Sequence, residues 1–183
     1  MSSKIKREEV YGLIDKKKWI RGAWDNEPDA VKFFYQEDLI RLPCLLQRNP
    51  ALGNWCGYVG VEKNNIYYRL NYIKFLRIIK KPDITYSKFN KIFDKVFGDK
   101  EYWYFGFDFG HDKDISPGNQ VIDLEENPFT AKVIELAEKA GIKLGVGATY
   151  KSLEFAEEVL VKMAKKIIGE QKAFLVSKAR SNK

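Results

Sequence analysis

A chain of 183 residues that is 45% hydrophobic and 14% aromatic holds enough apolar surface to offset the entropy of ordering it, which excludes a disordered segment and suits one domain. Its formal net charge of +7 points to an anionic partner such as nucleic acid, a nucleotide or an acidic protein face. No run approaches the roughly 20 apolar residues of a membrane span, and "MSSKIKREEV" lacks the apolar centre of a signal peptide, so the expectation is a cytoplasmic protein with no membrane partner.

In chain order, the spacing of Val10, Leu13, Ile14 and the stem of Lys17 predicts a first helix over about Ile5–Trp19. "GAWDNEPD" follows as a turn-rich loop, because Asp, Asn and Pro recur there without a period. The runs "AVKFFY", "LIRLPCLLQR" and "WCGYVGVE" read as strands joined by "QED" and "NPALGN", an antiparallel meander in which Pro43 predicts an edge position or a bulge. Residues 64–81 carry both strand alternation and helical spacing and are assigned to neither. Ser87 is the expected cap of a short helix carrying Phe89, Ile92, Phe93 and Val96 and ended by Gly98.

"EYWYFGFDF" is the most strand-like run, with aromatics on both faces and Gly106 allowing a close approach. Asn127 and Pro128 open a predicted helix carrying Val133, Leu136, Ala137 and Ala140 and stopped by Gly141. A last helix starts near Thr149 or Tyr150, and its stripe of Leu153, Ala156, Leu160, Met163 and Ile167 is a packing face for the sheet or for a second copy. Residues 1–171 form one domain on this reading, and 172–183 a basic, mobile tail. The fold class is α+β: a central, mainly antiparallel sheet with helices from both ends of the chain packed on it.

Cys44 and Cys56 have no CxxC spacing and the chain has a single histidine, so no Cys/His zinc site is expected and both thiols should be reduced. That histidine lies in "EYWYFGFDFGHDKDISPG". Asp108, His111, Asp112 and Asp114 there are the right groups for Mg²⁺, Mn²⁺ or proton transfer, with Asp108 and His111 as the catalytic candidates. The other reading, which weighs more, is a turn whose aspartates bond local backbone N–H groups, closed by Pro117-Gly118. "DKDISPG" is not an EF-hand loop.

The acidic loop "WDNEPD" poses the same choice. Asp25, Glu27 and Asp29 either cap turns around a Trp24 anchor or, should the two acidic loops meet, complete a two-part metal site. Trp55 and Tyr58 join them as polar-tipped aromatics, so the candidate ligand-binding set is Trp24, Asp25, Glu27, Asp29, Trp55, Tyr58, Asp108, His111 and Asp114. "GVGATYKS" lacks the phosphate-loop pattern, although a helix N-terminus there suits an anion. Any Ser or Cys nucleophile would have to use His111 as its base.

Taken as an ordered set, "GAWDNEPD", "LPCLLQRNPALGNWCGYVGV", "YWYFGFDFGHDKDISPG" and "TYKSLEFAEE" resemble a family of small uncharacterised proteins from tailed-phage and prophage genomes. The similarity spans residues 22–62 and 101–160. Two departures stand out: Lys81, Pro82 and Asp83 replace a His-Gly-Gly segment before Ile84-Thr85-Tyr86, and Phe109 stands where the family has cysteine. An imidazole and a thiol are therefore missing. The resemblance implies a phage or mobile-element accessory protein and no particular reaction.

The leading expectation is a non-catalytic binding protein that engages a host protein or a small anionic ligand, with counter-defence as one form. The alternatives are a metal-dependent hydrolase acting on nucleotides or phosphodiesters, and a nucleic-acid-binding protein using the lysine-rich middle and tail. A homo-oligomer through the 150–168 helix is the further expectation for partners.

Overall fold

The computed structural model describes residues 6–19, 21–77, 83–111, 114–120 and 149–181. Period-two apolar patterning places alternate side chains on one face, and the runs that carry it become strands. These are β1 (Arg7–Val10), β2 (Ala30–Glu37), β3 (Ile40–Arg48), β4 (Trp55–Val61), β5 (Tyr86–Phe89) and β6 (Trp103–Asp108). They form one six-stranded sheet in the order β1-β2-β3-β4-β6-β5, with every neighbouring pair antiparallel. Two short strands, β7 (Asp114–Ile115) and β8 (Thr149–Tyr150), pair in parallel beside it. Among the described residues, the α-helices are α1 (Tyr72–Leu76), α2 (Lys91–Val96) and the 29-residue α3 (Leu153–Ser181). The protein is an α+β fold.

One face of the sheet packs on α3. Leu153, Ala156, Leu160, Met163, Ala164, Ile167 and Ile168 are buried there with Val31, Phe33, Leu42, Cys44, Leu46, Trp55 and Val59. The opposite face carries a smaller core of Leu45, Phe93, Tyr102 and Tyr104 under the short α2. At the centre, "WCGYVGV" and "WYFGFDF" pair so that each glycine faces an aromatic, Gly57 opposite Phe107 and Gly106 opposite Tyr58. A Cβ at Gly57 would stand 2.4 Å from Phe107 Cζ, so the ring needs the absence of a side chain. The same register sets Asp108 opposite Cys56 at the end of the sheet.

The N-terminal segment departs from the predicted helix. Residues 7–10 pair with β2, Gly12 takes φ +76°, and only Lys16–Lys18 make a 3₁₀ turn. The amides of Leu13 and Ile14 donate to Asp29 Oδ2 at 2.8 and 3.2 Å, so their hydrogen bonds leave the local chain. Val10 and Leu13 are exposed. Pro43 lies in the sheet interior, on neither an edge nor a bulge. The β3–β4 ladder begins at Cys44, so the imino acid is asked for no amide on that side.

Ser87 sits in β5 and its Oγ accepts from the Tyr72 amide; the cap of α2 is Asn90, whose Oδ1 accepts from the Ile92 and Phe93 amides. Residues 64–70 are turns, and Asn71 caps α1 by accepting from Ile73 N. The final helix begins at Leu153, since Thr149 and Tyr150 are spent on β8, and it runs on to Ser181 through the segment read as a tail. The helix expected over 127–141 lies outside the described residues. Among the described residues, no helix is long and apolar enough to cross a membrane.

Cys44 and Cys56 are free thiols on opposite faces of the sheet. Burial pushes both thiols up, Cys56 to about 12, and it raises the phenols of Tyr58, Tyr104 and Tyr150 as well. These groups stay protonated in the fold while the unfolded chain ionises near the ordinary thiol and phenol values of about 8.5–10. The unfolded state then binds fewer protons, so stability is full below that range and falls as pH rises through it. Urea unfolding at pH 7 and pH 10.5 should show the lower midpoint at pH 10.5. In the native state at pH 8 both cysteines should resist alkylation, and both should react once denatured.

Candidate functional site

β6 carries the chain to Asp108, where the strand ends and a loop begins. Gly110 N donates to Asp108 Oδ1 at 3.0 Å and Thr85 Oγ1 donates to its Oδ2 at 3.2 Å, so the carboxylate fixes the turn and ties it to the segment before β5. Asp114 N donates to the His111 carbonyl at 2.8 Å. His111 Nδ1 lies 3.4 Å from Asp114 Oδ2, and Lys151 Nζ lies 3.5 Å from Asp114 Oδ1. The lysine arrives through the β7–β8 pairing, which sets Thr149 against Asp114.

This loop and the start of α3 enclose a cleft of about 580 Å³. Its apolar wall is Phe109, Phe155 and Val159; its polar lining is Asp83, Asp108, His111, Asp114, Lys151, Glu158 and Lys162. The Phe109 and Phe155 rings are 5.5 Å apart, and Lys151 Nζ stands 5.4 Å from the Phe155 ring centre. The arrangement offers an apolar seat ringed by charges of both signs.

The acidic loop 25–29 is consumed by the fold. Glu27 Oε2 accepts from Arg48 Nη2 and Tyr150 Oη, each at 2.5 Å, and from Trp55 Nε1 at 3.3 Å. Its Oε1 accepts from Leu153 N at 3.1 Å, which places a carboxylate on the first amide of α3, where the helix dipole favours it. The Arg48 side chain is fully buried and also donates to the Pro28 and Gly53 carbonyls, with its guanidinium 4.3 Å from the Trp55 ring centre. Asp29 pairs with Lys16 at 3.0 Å. Lys16 also donates to the Glu27 carbonyl. Asp25 accepts from Gly22 N at 3.2 Å through Oδ2, while its Oδ1 is buried without a hydrogen-bond partner among the described residues.

The predicted residues therefore divide. Asp108, His111 and Asp114 come together at the cleft. Trp24 and Trp55 are buried, Trp24 edge-on to Tyr150 at 5.1 Å, and they anchor the loop 25–29 to the core. Tyr58 lies on the other face of the sheet, and Asp112 is outside the described residues. The two acidic loops do not join into a ligand set: among the described residues, no group of three or more His, Cys, Asp or Glu is placed to hold a metal ion. Sequence reasoning missed Asp83, Lys151, Phe155, Glu158 and Lys162. Nothing local marks them, because strand pairing and helix docking bring them in from distant segments. Arg48 carried no signal either; an arginine at a strand end looks like any surface residue.

Comparison with protein-family models, curated proteins and solved structures finds no match to this chain.

Proposed function

We propose that this chain is a non-catalytic binding protein of phage or mobile-element origin that engages a host factor at the cleft beyond β6, with counter-defence as its biological form. The origin rests on the motif resemblance alone. The binding reading is supported by the cleft, whose volume of about 580 Å³ and apolar wall suit a buried anchor group. Its histidine and Lys151 both lean on Asp114, an arrangement that orients polar groups around a guest. Among the described residues, four carboxylates, Asp83, Asp108, Asp114 and Glu158, and two ammonium groups, Lys151 and Lys162, line the cleft. That balance disfavours a bare small anion and favours a protein partner presenting an apolar side chain beside a basic one.

Phe155 is 43% exposed, so its removal costs the fold little and tests the seat directly. Immobilised protein incubated with host extract should retain a defined host protein, and Phe155→Ala should lose it while the thermal midpoint stays within a few degrees. His111→Ala should weaken retention without abolishing it. Metal-stimulated turnover of a nucleotide or phosphodiester that disappears in His111→Ala would overturn the reading in favour of a hydrolase.

A further inference from the structure

On the face of the sheet that α3 leaves uncovered, Asp108 borders a second hollow, of about 300 Å³. Its lining includes Asn54, Cys56, Tyr58, Thr85, Tyr86 and Asp108. On a chain of net charge +7, no Lys, Arg or His lines it, so Asp108 is its one formal charge among the described residues. Asn54 is 3% exposed; its Nδ2 meets Cys56 Sγ at 3.9 Å and its Oδ1 is buried with no hydrogen-bond partner among the described residues.

Both oxygens of Asp108 accept one hydrogen bond each from the chain, which leaves each able to accept another. Gly110 keeps the space between the two side chains clear, because a Cβ there would stand 3.1 Å from Asp108 Oδ1 and 3.3 Å from Asn54 Nδ2. Tyr58 and Tyr86 form an aromatic wall, their ring centres 5.3 Å apart and edge-to-face.

We propose that this hollow binds a planar N–H-donating cation of the guanidinium class, with Asp108 as its counter-charge and the two tyrosines as its wall. A guanidinium carries a fixed fork of donors that matches a carboxylate, sheds water more readily than an ammonium, and stacks on aromatic rings. A singly anionic hollow with tyrosine walls fits that group. The hollow shares Asp108 with the His111 cleft, but Tyr58, Tyr86, Asn54 and Cys56 line the hollow alone. An arginine side chain of a partner and a free guanidino compound present the same chemistry.

The test is a titration of the ¹⁵N-labelled full chain with methylguanidinium, followed by amide shifts. Saturable shifts are expected at Thr85, Gly106 and Gly110, with methylammonium at least tenfold weaker. Asp108→Asn, nearly isosteric, should weaken methylguanidinium binding at least tenfold. Tyr86→Ala, on an edge strand, should weaken it severalfold without touching the charge, and it keeps the test decisive if the first variant folds poorly. His111→Ala should leave the affinity unchanged. An acetylated Gly-Arg-Gly amide that binds more tightly than methylguanidinium would assign an arginine side chain as the occupant, whereas equal or weaker binding would assign a free small molecule. No saturable shift at those amides, an equal response to methylammonium, or loss of binding in His111→Ala would overturn the proposal.

Discussion

Replacing Arg48 with methionine should lower the unfolding free energy by about 3–5 kcal/mol, the range for breaking a buried ion pair from one side. The side chain is fully buried and bonds Glu27, Tyr150 and the carbonyls of Pro28 and Gly53. Methionine fills much of the volume, but it leaves the Glu27 carboxylate facing the core without its cation. It also strips two backbone carbonyls of their donors. For a chain of this size the loss corresponds to a fall in thermal midpoint of roughly 6–20 °C.

The double variant Arg48→Met with Glu27→Gln should lose less than the single, because the stranded charge is gone while the amide oxygen still accepts from Leu153 N. Urea unfolding at pH 7 measures both. A loss below about 1 kcal/mol, the value for an exposed pair, would show that Arg48 does not hold the loop 25–29 and the start of α3 to the sheet.

Gly57→Ala should destabilise by about 1–3 kcal/mol, the cost of overpacking a filled core. The added Cβ would lie 2.4 Å from Cζ of Phe107, a ring only 2% exposed and held between β4 and α3. Phe107→Leu in the same background should recover part of the loss, since the shorter side chain vacates the contested space. Gly169→Ala supplies the opposite sign. Nothing lies within 4 Å of a Cβ there and the position is inside α3, so relief of the glycine penalty should stabilise by about 0.5–1 kcal/mol. Equal and negligible effects at Gly57 and Gly169 would mean that the glycine–aromatic pairing of β4 and β6 is incidental to stability.

The sheet was legible along the chain because its evidence is local. Alternation in "AVKFFY", "LIRLPCLLQR", "WCGYVGV" and "WYFGFDF", with turn residues between, specifies strands whatever surrounds them, and the apolar stripe from Leu153 to Ile167 specifies the packed face of α3. From these, Asp108 at a sheet end and His111 in the loop beyond it follow directly. The N-terminal segment was misread because Val10, Leu13 and Ile14 fit a helix locally. Its amides are instead claimed by Asp29 and by the free edge of β2, and neither claim is visible within the segment.

The role of the loop 25–29 and the make-up of both cavities were decided by tertiary structure alone. Glu27 meets Arg48 across 21 residues, Tyr150 across 123 and Leu153 across 126. Asp108 acquires its neighbours from β4, from the segment before β5 and, through the cleft, from α3. Backbone preferences reach only a few residues along the chain, so they set which segments become strands and helices. Whether a carboxylate ends as a buried cap or at the rim of a cavity depends on which distant donors the packed sheet and helix carry to it, and that information exists only once the chain has folded.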